Sequence, residues 1–170
     1  KTHDLVLKAM PHFWAHRRED NIAALELLEQ ALASDPNSGA ALSLKAWCLS
    51  QQITYLWSDD PERDRMAAIE LAERAAETAE PDPLVMTAIG ATYSILLADQ
   101  ARALVYIERA IALADEFVER FPYDEHGYNQ RAEIDICLNR RDEAVAYLKH
   151  AILEVHPDER DSRSSLLAAQ

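Results

Sequence analysis

His12 and His16 stand four residues apart, the spacing that puts two imidazoles on one helical face, where a third ligand would complete a metal site. No acidic or other third ligand lies at a telling distance, so no metal is expected. Cys48 and Cys137 each sit inside an apolar helical pattern without a Cys or His at metal spacing. They read as two buried free thiols, which fits a reducing compartment and a cytoplasmic location. Gly39, Gly90 and Gly127 are too dispersed for a phosphate-cradling loop, and no Gly-x-Ser-x-Gly elbow occurs. Carboxylates are plentiful but evenly spread, with no paired acid and base. No catalytic residue and no cofactor is assigned, and the chain is not expected to be an enzyme. What remains is recognition chemistry. Aromatic and Arg side chains supply most of the energy at protein interfaces, and Trp47 is the first to single out.

The elements that position these residues follow from one recurring spacing. Ala, an apolar residue four later, Ala three later and a small or aliphatic residue next recur four times. They are Ala24-Leu28-Ala31-Leu32, Ala68-Ala72-Ala75-Ala76, Ala103-Ile107-Ala110-Ile111 and Ala144-Leu148-Ala151-Ile152. Offsets of four and seven share one helical face, and small residues there let a neighbouring helix approach closely. Before each such helix lies another amphipathic segment, at 5–15, 39–49, 83–93 and 125–135. The first is interrupted by Pro11, which is expected to kink or split it. Asp60-Pro61-Glu62 and Asp82-Pro83 are helix-start signals.

The chain has 170 residues, 49% of them apolar and 3 of them Gly, and no strand-type alternation. An all-α fold is expected. A formal charge of −13 repels phosphate backbones and anionic lipid, so neither nucleic acid nor a membrane surface is an expected partner. Glu26, Glu29, Glu70, Glu73 and Glu77 read as a solvated outer face. No signal peptide is visible, and no apolar run nears the roughly 20 residues that span a bilayer. Lys1 stands where an initiator Met would, so the chain reads as a fragment or processed form.

These helix pairs resemble the tetratricopeptide repeat (TPR), a helix–turn–helix unit of about 34 residues. The third unit matches best, with Met86, Gly90, Tyr93, Ile107 and Ala110, and the first closes on an Asp35-Pro36 turn. The resemblance implies a right-handed α-solenoid of four TPR-like pairs, at about 5–38, 39–82, 83–124 and 125–157, and the segment 158–170 reads as a short capping helix or as the first helix of a fifth unit. It implies a concave groove lined by the first helix of each pair. Carried across by position, the groove takes Phe13, His16 and Arg17, then Ser43, Trp47, Ser50 and Gln51. Thr87, Ala91, Ser94 and Ile95 follow, then His126, Asn129, Glu133 and Ile136. Phe13 and Trp47 fit equally as core between repeats, and His12 falls at a packing position. The Lys, Arg and Asn set with which some family members grip a C-terminal carboxylate is replaced by Ala9, Phe13, Ser43 and Trp47. The implied activity is non-enzymatic binding of a protein or peptide. The repeats also resemble the helical tails of bacterial multidomain regulators, which leaves a small-ligand sensor as another reading.

The unit starts Leu5, Gly39, Pro83 and Glu125 are spaced 34, 44 and 42 residues apart. The second unit's extra length lies near Tyr55, Leu56 and Trp57. Both of its helices are expected to run about a turn longer. The third unit's extra length lies in a helix running through Phe117 toward Phe121. Tyr55, Trp57, Phe117 and Phe121 are thus candidates for self-association into a homo-oligomer.

Overall fold

The computed structural model describes residues 1–78, 80–121, 128, 131–132, 134–135 and 140–150. The described residues contain helices and no strand. In order these are α1 (Thr2–Trp14), α2 (Arg18–Ser34), α3 (Gly39–Thr54), α4 (Pro61–Thr78) and α5 (Pro83–Thr92). A π-helical turn (Tyr93–Leu97), α6 (Gln100–Arg120) and α7 (Arg141–His150) follow. The fold is all-α, as composition requires. His126, Asn129, Glu133, Ile136, Cys137 and the segment 158–170 lie outside the described residues.

Short polar side chains start several helices by accepting from otherwise unpaired backbone N–H groups. Ser38 accepts from the Ala41 N–H, Asp60 from Arg63, Asp82 from Val85 and Asp99 from Arg102, at 3.4, 3.2, 3.1 and 3.0 Å. Pro61 and Pro83 open α4 and α5, where no N–H is needed. Pro11 does not split α1, which is one helix from Thr2 to Trp14. The ring lies on the exposed side, near the helix end, where water can take up the carbonyl it frees.

The chain forms two compact units, Lys1–Ile107 and Glu108–Gln170. In the first, α1 pairs with α2 and α3 with α4, while α2 meets α3, and α5 meets both α3 and α4. This is hairpin stacking of the α-solenoid kind. The repeated small residues lie at its contacts: Ala24, Leu28, Ala31, Ala68, Ala72 and Ala75 are buried. Gly90 lets α6 approach α5. A Cβ there would stand 2.8 Å from Ile107 Cδ1 and 3.1 Å from the Ala103 carbonyl oxygen. The five glutamates assigned to the outer face are all exposed.

The second hairpin's added length is distributed differently from the sequence expectation. α3 is three residues longer than α1, and the 55–60 connection is three longer than 15–17. α4 exceeds α2 by a single residue. Tyr55 caps α3, and the chain then needs a broad turn to reach Asp60, the residue that can start α4. In the third hairpin the long helix is present, and α6 runs to Arg120.

In the second unit, Arg131 Nε donates to Asp115 Oδ1 at 2.9 Å, and Nη1 lies 2.5 Å from the buried Asp135. Its guanidinium sits 5.0 Å above the Tyr147 ring. Burial pulls the Arg131 pKa down, but Asp135 and Asp115 more than offset it, and the net shift is upward. These contacts read as an internal brace.

Candidate functional site

Trp47 and Gln51 lie four residues apart on one face of α3, and Tyr55, four further on, caps its end. Along that face the surroundings change from closed to open. Phe13 and Trp47 are 1% and 7% exposed and belong to a core with Val6, Ala9, Leu28, Leu44 and Cys48. Their rings meet edge to face with centroids 4.8 Å apart, a favourable aromatic geometry. Trp14 touches both, at 4.6 and 5.8 Å. From Trp14 the series continues outward to His16 at 6.5 Å and on to Tyr55 at 6.3 Å. It ends on Trp57, 4.8 Å from Tyr55. Aromatic side chains thus run from the interior to the surface where the first two hairpins turn.

Polar contacts tie the two turns together. His12 Nδ1 donates to Asp20 Oδ1 at 2.8 Å, and Arg17 Nε lies 2.6 Å from Asp20 Oδ2. The His12 hydrogen bond, with help from Arg17 and against partial burial, holds the Asp20 carboxyl below its ordinary pKa. Arg18 reaches the second turn, donating to the Trp57 carbonyl oxygen at 3.3 Å. Ser58 Oγ donates to the buried Asp64 at 2.6 Å and accepts from the Asp60 N–H.

Among the described residues, each turn joining paired helices contains a non-glycine residue in the left-handed region: His16 at φ 49°, Leu56 at φ 58° and Ala98 at φ 51°. For an L-residue this conformation costs about 1–2 kcal/mol. Leu56 occupies the position after the α3 cap where glycine is favoured. Its N–H donates to the Ile53 carbonyl oxygen and that of Trp57 to Gln52, at 3.2 and 2.8 Å, closing the helix end. The Leu56 side chain is 89% exposed and Tyr55 45%. An apolar side chain is therefore held outward, beside half-open rings, on a strained backbone. Outliers of this kind collect at functional sites.

The groove assignment meets a different environment. Phe13, Ser43, Trp47, Ser50, Gln51 and Thr87 are buried, because α3 is surrounded by α1, α2, α4, α5 and the π-turn. Ser43 and Ser50 spend their hydroxyls on the Ala40 and Ala46 carbonyl oxygens of their own helix. Ala91 packs against the core, Ser94 donates to Gln100 at 3.2 Å, and Ile95 is exposed. His16 and Arg17 are open, but they lie in the turn after α1 rather than on its face. His12 and His16 therefore share no helix, and no group of three metal-capable side chains occurs among the described residues. Cys48 is a buried free thiol with its pKa pushed up to about 12 by desolvation.

Of the self-association candidates, Tyr55 and Trp57 lie in the aromatic series just described. Phe117 and Phe121 meet at a tilt at the end of α6, with centroids 4.9 Å apart and Arg120 over the Phe121 ring at 5.5 Å. The carrying role of Trp14 and the left-handed Leu56 were not apparent from sequence. The available signal was the lack of any glycine between Thr54 and Pro61 to end α3. No helix among the described residues is long and apolar enough to cross a membrane.

No family model matches the chain, and no curated protein matches it. Among solved structures it is similar to a thermophilic TPR protein from Thermus thermophilus, at 20% identity and a TM-score of 0.41, covering 99% of this chain and 98% of that one.

Proposed function

We propose that this chain is a non-enzymatic protein-binding module whose partner engages the turn end of the first two hairpins. The observation that carries the reading is Leu56, held outward in the left-handed region between Tyr55 and Trp57, with His16 against the Tyr55 ring. Glycine is the favoured residue for ending a helix in this conformation, and here a leucine held outward takes its place. Half-exposed aromatics beside Arg17 and Arg18 have the composition of interface anchors. The internal ties through Arg18, Ser58 and Asp64 pre-organise the surface and so lower the entropy lost on binding. Groove contacts through His16, Arg17, Ala91, Ser94 and Ile95 belong to the same reading as secondary contributors.

The test is affinity capture with the wild-type chain and a Tyr55→Ala, Trp57→Ala variant matched in unfolding midpoint. Loss of a reproducible partner from the variant supports the proposal, and full retention contradicts it. A second reading, self-association, is favoured by the same two aromatics, whose rings meet at a tilt with centroids 4.8 Å apart. Light scattering separates the two: a concentration-dependent dimer that the variant abolishes assigns the surface to a second copy, and a monomer at high concentration removes that reading.

A further inference from the structure

Between α2 and α3 lie two buried side-chain amides, Asn21 and Gln51. Asn21 Nδ2 donates twice, to the Cys48 carbonyl oxygen at 3.1 Å and to Gln51 Oε1 at 3.0 Å. These two bonds fix the orientation of both amides. Turning Asn21 over would set its oxygen against two oxygens, and turning Gln51 alone would set donor against donor. In the one arrangement that works, Asn21 Oδ1 and Gln51 Nε2 find no hydrogen-bond partner among the described residues, and both atoms are shut off from bulk solvent. The first needs a donor and the second an acceptor.

We infer that this seam is a binding site for one structural water, which donates to Asn21 Oδ1 and accepts from Gln51 Nε2. A water satisfies both needs at once. Leaving two buried polar atoms unpaired is more unfavourable than immobilising a single water between them. An apolar ligand would leave the same two atoms unsatisfied, so the chemistry selects a small group that both donates and accepts. The consequence is positional. The first and second hairpins are registered by a hydrated amide pair, set where Trp47 gives way to Tyr55, and the proposed binding surface rests on it. The inference does not depend on that surface having a partner.

A crystal structure decides it, and a double-variant cycle tests the amide pair on which it rests. A crystal structure at a resolution that orders solvent should show one water within about 2.7–3.2 Å of both atoms. Asn21 Oδ1 or Gln51 Nε2 bonded instead to protein, or no solvent peak between them, overturns the proposal. A double-variant cycle read by urea unfolding provides the second test. Asn21→Leu alone strands the whole Gln51 amide and should lower the midpoint clearly. The Asn21→Leu, Gln51→Leu pair removes the need for water and should recover much of that loss. Additive losses, with no recovery in the pair, contradict a shared bridging site.

Discussion

Trp47 within α3 and Tyr55 at its C-terminal cap lie eight residues apart, yet one is sealed in the core and the other is half open. The difference comes from the neighbour. α1 brings Phe13 and Trp14 against Trp47 and then stops at Trp14, so two turns further along α3 only the turn residue His16 remains to meet Tyr55. Equivalent side chains thus do different work according to what the preceding hairpin supplies. The closed end fixes how the first two hairpins meet. The open end is tied by hydrogen bonds but uncovered.

Substitutions can break this comparison, beginning at the closed end. Trp47→Ala removes a buried ring from the core and should destabilise by about 3–5 kcal/mol, read as a lower urea midpoint. A loss below about 1 kcal/mol would place Trp47 outside the structural core. Gly90→Ala forces a methyl against Ile107 and the Ala103 carbonyl. Overpacking of this kind costs about 1–3 kcal/mol, and an unchanged unfolding midpoint would show that α5 and α6 are not closely seated.

The open end should respond with smaller effects. Leu56→Gly relieves the left-handed strain and should stabilise by about 1 kcal/mol. Equal or lower stability by calorimetry would mean that the Leu56 side chain supports the fold. Tyr55→Ala and Trp57→Ala should each change stability by less than the Trp47 substitution, since water already reaches both rings. The smallest effect concerns Asp20. Its folded pKa lies below the ordinary 3.8. Its contribution is therefore fully present above that value and is lost as pH falls through the folded pKa. His12→Ala should move the Asp20 carboxyl back toward 3.8 in an NMR titration, and an unchanged value would remove the His12 hydrogen bond as its cause.

The paired helices, the buried alanine faces and the cap residues Asp60 and Asp82 were legible in the sequence. Each follows from local periodicity or from a side chain bonding its own helix start. The length of α6 was legible for the same reason. Burial around α3 was not. Ser43, Ser50 and Thr87 read as groove residues because a sequence gives the face of a helix but not the number of neighbours that enclose it. Leu56 escaped notice because its φ is set by the demand to close α3 before Asp60, where the chain offers no glycine. The Asn21–Gln51 pair joins residues thirty apart, which neither period nor propensity brings together.

The central claim is that the Leu56 end of the second hairpin faces a partner while the Trp47 end serves the fold. Site-specific photocross-linking from position 56 tests it most directly, with the exposed Glu77 position on α4 as the control. The account predicts a discrete protein adduct from position 56 that Tyr55→Ala and Trp57→Ala abolish. Adduct yields from position 56 no higher than those from position 77 would contradict it.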